Sequence, residues 1–241
     1  MHKSFVAIRP VLGKDYPLEG PEAEHIIKSL RMKPGEKMIL CDGEQNDYIC
    51  EISSVLDKAV ILTPVAVEYS AAEPDVAVTL YQCVPKGDKM GEIIKRAVEL
   101  GVTTMIPVLS ARCISRPDEK AASKTERYQK IALEAAKQSN RGAVPMVLAQ
   151  IDFKELISKI KSHGQAFLLY ECERDNPFAK QNFSKKDVAV IIGPEGGFSP
   201  EEAKLISQSG ATSCTLGRRI LRTETASACA LSIIMANTNN M

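Results

Sequence analysis

Ile191-Ile192-Gly193-Pro194-Glu195-Gly196-Gly197-Phe198-Ser199 and, further on, Leu216-Gly217-Arg218-Arg219-Ile220-Leu221-Arg222-Thr223-Glu224-Thr225-Ala226 decide how this chain is read. Each has the grammar of a buried strand end, a loop of unusual composition and a helix start. Glycines in the first loop let backbone approach a ligand closely and adopt positive φ, so a side chain at Gly196 is expected to obstruct that approach. The second loop sets Arg218, Arg219 and Arg222 beside apolar residues, a poor composition for an ordinary turn. Open α/β sheets keep their ligand crevices at the carboxyl ends of strands. Two such loops in one domain predict one composite site.

The surrounding sequence fits that reading. Ser199-Pro200-Glu201-Glu202 combines an N-cap, a proline at the first helical position and a glutamate three residues after the cap. Upstream, Val76–Val84 reads as a strand, Asp88 as the cap of a helix to Leu100, and Thr103–Leu109 as a strand. Ser123-Lys124-Thr125-Glu126 reads as a capping box opening a helix to Ser139. Asp152 starts another helix, and Ala166–Tyr170, Val188–Ile192 and Thr212–Leu216 are strands. Strands alternating with helices predict a mostly parallel sheet covered on both faces, over about 75–241. The last helix, Thr223–Asn237, is apolar almost all round through Ala226, Ala228, Cys229, Ala230, Leu231, Ile233, Ile234 and Met235. Such a helix must be buried on every side, under loops of its own domain or in a subunit interface.

Residues 1–70 have a different pattern. Phe5–Ile8, Lys37–Cys41, Tyr48–Ile52 and Ala59–Leu62 read as short strands, with turn chemistry at Lys33-Pro34-Gly35-Glu36 and Asp42-Gly43-Glu44. One helix, Pro21–Arg31, interrupts them. This predicts a small β domain, joined to the second through Glu68–Pro74.

Composition narrows the function. The 241 residues are 44% hydrophobic and 25% charged, which excludes wholesale disorder. With 31 basic and 30 acidic residues the formal net charge is +1, so nucleic-acid binding must rest on local clusters. Arg9, Lys28, Arg31 and Lys33 form one such group, and Lys86, Lys89, Lys95 and Arg96 another. Cys41, Cys50, Cys83, Cys113, Cys172, Cys214 and Cys229 are scattered and odd in number, which suits reduced thiols. His2, His25 and His163 have no metal-ligand spacing, so no metal is expected. No run approaches the ~20 apolar residues of a membrane span, and no secretory leader precedes the first strand. A cytoplasmic location is the expectation.

The two loops, Tyr81-Gln82-Cys83-Val84-Pro85-Lys86-Gly87-Asp88-Lys89-Met90 and Glu134-Ala135-Ala136-Lys137-Gln138-Ser139-Asn140-Arg141, resemble the bacterial RsmE family. Members of that family methylate N3 of a uridine in the decoding region of 16S rRNA. Leu30-Arg31-Met32-Lys33-Pro34-Gly35 extends the resemblance to the N-terminal domain. The resemblance implies an N-terminal PUA-like β-barrel for RNA and a C-terminal SPOUT domain with a deep trefoil knot. It also implies an S-adenosylmethionine pocket and a homodimer. The implied cofactor cradle comprises Leu169, Ile192, Gly193, Pro194, Glu195, Gly196 and Gly197 with Leu216, Gly217, Ile220, Leu221 and Thr225. Arg222, Glu224 and Arg141 are the implied polar groups at the reacting centre, with Arg141 open to acting across the interface. Glu224 would either accept the N3 proton or orient Arg222. Arg9, Lys28, Arg31, Lys33, Lys86, Arg218 and Arg219 would hold RNA. The chain departs from the family pattern at Arg218, usually proline, and at Asn140, commonly glycine. A related knotted methyltransferase with another rRNA or tRNA target, or a non-catalytic RNA-binding protein, are the competing readings.

Overall fold

The computed structural model of the chain describes residues 1–113 and 121–241 and divides into two compact units. The first comprises Met1–Glu73 with Ala136–Val144, and the second Pro74–Ala135 with Pro145–Met241. The segment 136–144, which the sequence reading assigns wholly to the second domain, therefore belongs to the first.

In the first unit, β1 (Lys3–Phe5), β2 (Tyr16–Glu19), β3 (Lys37–Cys41), β4 (Asn46–Val55) and β5 (Ala59–Tyr69) form one sheet in the order β1-β3-β4-β5-β2. Alternation buries Met38 and Leu40, then Tyr48, Cys50 and Ile52, then Val60 and Leu62. β4 and β5 run well past their expected ends. Within β5, Pro64 pairs with Cys50 beside a register shift between Ile49 and Cys50, where a missing donor is tolerated. The expected helix over Pro21–Arg31 is in fact α1 (Gly20–Glu24) running into a π-helical turn, His25–Leu30, closed by Arg31 at φ 54°.

Residues 136–144 are fastened to this sheet by buried charge. Lys3 Nζ lies 2.7 Å from Asp47 and donates to Ser70 Oγ and to the carbonyls of Asn140 and Arg141. Arg141 donates from Nε and Nη2 to the two oxygens of Glu73 at 2.7 and 2.8 Å, and the backbone amides of Gly142 and Ala143 also donate to Glu73. The Arg141 and Glu73 side chains are 3% and 1% exposed. Gly142 permits the approach, since a Cβ there would stand 2.1 Å from Ser70 Cβ.

In the second unit, β6 (Ala77–Cys83), β7 (Thr104–Leu109), β8 (Met146–Val147), β9 (Ile151–Asp152), β10 (Gln165–Leu169), β11 (Asp187–Ile192) and β12 (Thr212–Cys214) form a parallel sheet. Its order is β12-β10-β11-β6-β7-β8, with β9 also on β7. Among the described residues the α-helices that follow are α2 (Lys89–Glu99), α3 (Ala121–Gln138, its last three residues in the first unit), α4 (Phe153–Ile160), α5 (Pro200–Gln208) and α6 (Thr223–Asn237). Tyr81, Cys83, Ala166, Leu168, Ala189 and Ile191 pack with Leu156, Ile160, Ala203 and Ile206 of α4 and α5. The alternate residues Leu80, Phe167 and Val190 are equally buried, so both faces are covered.

Asp152 and Ser199 cap α4 and α5 as read, and Ser199 with Glu202 completes a capping box. Asp88 precedes α2 without a capping bond, and Ser123 lies inside α3, not at its start. Within one chain α6 is buried on part of its surface. Thr223, Ser227, Ala230, Leu231, Ile234 and Met235 are buried, whereas Ala226, Ala228, Cys229 and Ile233 are half-buried.

Arg141→Ala would strip a buried carboxylate of its cation. The expected loss of stability in urea denaturation is about 3–5 kcal/mol, the scale for removing one partner of a buried pair.

Candidate functional site

Three loops leave adjacent strands of the second unit at their carboxyl ends and enclose a cavity of about 350 Å³. Leu169, Tyr170, Glu171 and Arg174 follow β10; Ile192, Gly193, Pro194, Glu195, Gly196 and Gly197 follow β11; Thr215, Leu216, Gly217, Arg219, Ile220, Leu221, Arg222, Thr223 and Ala226 lead from β12 into α6. The volume is that of a small-molecule site.

The glycines differ in what they do. The Gly197 amide closes a turn by donating to the Pro194 carbonyl at 2.9 Å, with φ at 65°. A Cβ on Gly197 would fall 1.7 Å from Glu171 Oε1, so the carboxylate rests on bare backbone. At Gly193 a Cβ would meet the ring of Phe198 at 3.2 Å. Within the protein itself Gly196 is less constrained: a Cβ there makes ordinary contact with Arg112 Cβ at 3.5 Å. Gly217 has φ 120° and a Cβ on it would meet no protein atom within 4 Å, which leaves open space on the cavity wall.

Neighbouring turns brace the first loop. Arg112 donates to the Gly196 carbonyl at 2.8 Å. Glu202, the buried half of the α5 capping box, also accepts from the Ala111 amide at 2.8 Å. After β6, the Lys86 amide donates to both carboxylate oxygens of Glu195 at 3.1 and 3.2 Å. A buried relay fixes the second loop: Gln82 Nε2 donates to Thr223 Oγ1, which donates to the Gly193 carbonyl, each at 2.8 Å.

Arg222 stands at the N-cap of α6, exposed, on the cavity wall, with its carbonyl accepting from the Thr225 and Ala226 amides. Its side chain makes no capping bond. Glu224 does not line the cavity and does not hydrogen-bond Arg222; its ion partner is Lys89 at 3.5 Å. Its own backbone amide, then Lys89 and the field of Arg222, hold its carboxyl below the ordinary glutamate range against the opposing effect of burial. Thr225 points elsewhere, exposed and off the cavity.

Within one chain Arg141 stands apart from the cavity. It lies in the first unit with its guanidinium committed to Glu73, and it is not a cavity residue. Tyr170, Glu171, Arg174, Thr215, Thr223 and Ala226 line the cavity although the sequence reading passed over them. The run Glu171-Cys172-Glu173-Arg174 directly after an apolar strand was the available signal for two of them.

The basic residues read as nucleic-acid contacts are exposed: Arg9, Lys28, Arg31 and Lys33 in the first unit, Lys86, Arg218 and Arg219 in the second. Arg9 is held in place, donating to Tyr48 Oη at 2.7 Å, and Lys28 pairs with Glu24 at 2.9 Å. All seven cysteines are free thiols. Among the described residues no cluster of His, Cys, Asp or Glu could hold a metal ion, and no helix is long and apolar enough to cross a membrane.

Comparison with known proteins agrees with this geometry. Residues 72–235 match an RNA methyltransferase domain and residues 18–65 an RNA methyltransferase PUA domain. Ribosomal RNA small subunit methyltransferase E of Bacillus subtilis is 33% identical over 232 residues, 92% of this chain and 90% of that protein. The same-named protein of Aquifex aeolicus is 34% identical over 190 residues, 78% of this chain and 80% of its own length. Among solved structures, ribosomal RNA small subunit methyltransferase E of Neisseria gonorrhoeae, bound to S-adenosyl methionine, superposes with a TM-score of 0.87 at 28% identity over 98% of this chain and 97% of that one.

The unequal glycines give a direct test. Gly196→Ala is expected to leave the urea midpoint nearly unchanged. Gly197→Ala, forced into left-handed backbone against Glu171, should cost about 1–2 kcal/mol.

Proposed function

The chain belongs to the RNA methyltransferase family that includes ribosomal RNA small subunit methyltransferase E, and from that membership we propose that it methylates N3 of a uridine in the decoding region of 16S rRNA. It is an S-adenosylmethionine-dependent methyltransferase. The observation that carries the finer reading is Arg222, an exposed planar cation whose side chain makes no capping bond, on the rim of a glycine-walled cavity.

The cavity suits the cofactor. Leu169, Ile192, Leu216 and Leu221 supply apolar wall, Gly193 to Gly197 and Gly217 supply backbone without obstruction, and Glu171 and Glu195 supply carboxylates beside which a cation is welcome. When bound, S-adenosylmethionine supplies an electrophilic methyl group on a sulfonium. The chain's task is to make the uridine a nucleophile. N3 carries a proton, and the base becomes reactive only as that proton leaves. Arg222 is aimed to stabilise the negative charge then developing on O2 or O4, and its planar fork matches a base edge. Glu224, kept charged and held by Lys89, is assigned to ordering the start of α6 and not to receiving the proton.

The target nucleotide must be splayed from its stack to enter the site. Arg9, Lys28, Arg31 and Lys33, with Lys86, Arg218 and Arg219, are assigned to the flanking phosphates. The half-buried face of α6, with Ile233, Cys229 and Ala228, and the 82% exposed Ile220 favour a homodimer through this region. The knot that the family resemblance implies belongs to the same reading, as does action in the cytoplasm on the small ribosomal subunit.

Incubating the protein with labelled S-adenosylmethionine and unmodified small subunits should yield 3-methyluridine by nucleoside mass spectrometry; methyl groups only on ribose or on another base would overturn the assignment. Arg222→Ala should lower the transfer rate about a hundredfold, the effect of losing one transition-state donor, and Arg222→Lys should restore little of it. Light scattering tests the dimer. Ile234 is fully buried in its own chain, so charge there tests folding; Ile233→Glu, on the half-buried face, is expected to give monomers.

A further inference from the structure

Lys89 is the first residue of α2, where the positive end of the helix dipole makes a cation unfavourable. Helix stability therefore does not explain it. Its ammonium lies 3.4 Å from Glu195 Oε1 and 3.5 Å from Glu224 Oε1. Glu195 belongs to the glycine loop after β11, and Glu224 to the first turn of α6, two residues beyond Arg222. Lys89 itself does not line the cavity.

We propose that Lys89 is a positioning residue for the methyl-transfer site: one ammonium, shared by two carboxylates, that holds the glycine loop against the start of the helix carrying Arg222. Both carboxylates lie within reach of one nitrogen, so without it two negative charges would face each other across the site. Glu195 retains the Lys86 amide as a second partner. Glu224 is held besides by its own backbone amide, but its side chain is 16% exposed and its Oε2 is buried without a hydrogen-bond partner. Removing the ammonium leaves that carboxylate to turn toward water and takes the first turn of α6 with it. The separations exceed a direct charged hydrogen bond of ~2.7–2.9 Å, as expected of a cation divided between two acceptors. Lys89 is partly exposed, and exposed ion pairs contribute little to global stability. Its effect is accordingly expected in the order of the loops and in ligand affinity, through preorganisation.

The inference rests on the cavity being the S-adenosylmethionine site, and the test separates the two. Wild-type protein is first titrated calorimetrically with S-adenosylmethionine; no binding there defeats the cofactor reading and not the clasp. In cofactor-free protein, Lys89→Met should speed amide hydrogen exchange at 195–197 and 224–226 while the thermal midpoint stays nearly unchanged. Where the wild type binds, Lys89→Met should weaken affinity about tenfold, and Lys89→Arg should stay within about twofold of wild type. Glu224→Gln should relieve part of the Lys89→Met defect, because the unpaired charge is gone. Unaltered exchange and affinity in Lys89→Met would overturn the proposal. So would loss of RNA affinity alone, which would make Lys89 a phosphate contact.

Discussion

The hydroxyl of Thr223 receives a hydrogen bond from Gln82 in the centre of the parallel sheet and gives one to the carbonyl of Gly193. Both side chains are buried, Gln82 completely. Through this one oxygen the middle of the sheet, the first residue of α6 and the first residue of the glycine loop share a fixed point. The arrangement costs an unsatisfied acceptor, Gln82 Oε1, which is buried without a partner. A buried polar atom left in that state is a substantial penalty, and the two bonds made by the amide nitrogen offset part of it. Serine could make the same bonds, but without the methyl group it would leave unfilled space in the buried corner where the helix begins.

Around that point the division of labour follows from geometry. Parallel strands deliver their loops to one edge, so a residue after β6, one after β11 and one after β12 meet although far apart in sequence. The fold itself needs glycine where backbone turns left-handed or meets a side chain, at Gly197 and Gly217, whereas at Gly196 a Cβ would make only ordinary contact with the protein. Carboxylates sit on the same wall as arginines and are kept apart from them. Arg112 grips a carbonyl, Lys86 uses its amide, and Lys89 takes the acids, and among the described residues the Arg222 side chain has no ion pair.

Much of this was legible. The β11 strand and its loop, the Ser199 capping box and the limits of α6 could be read from local chemistry, because each depends on neighbours within a few residues. What escaped reading depends on distant partners. Tyr16–Glu19 becomes a strand only by pairing with β5, and Pro64 is admitted to β5 only by a register shift opposite Cys50. The sequence neighbourhood of Arg141 offers no hint of its partner, since Glu73 is supplied by the fold. Glu224 and Arg222 are close in sequence, but the first turn of a helix directs the carboxylate to Lys89 instead.

The discontinuity of the first unit bears on how the protein is made. Lys3 donates to the carbonyl of Asn140, a bond spanning 137 residues. Emerging N-terminus first, the β sheet waits with a buried-to-be ammonium and a carboxylate at Glu73 in solvent until translation has passed Val144. By then β6, α2 and β7 of the second unit have already been synthesised, so neither unit can be completed before the other has begun. Contacts of such separation slow folding. Biogenesis of this enzyme is thus an interleaved event, and a gene cut at the apparent border near residue 74 would divide one unit rather than separate two.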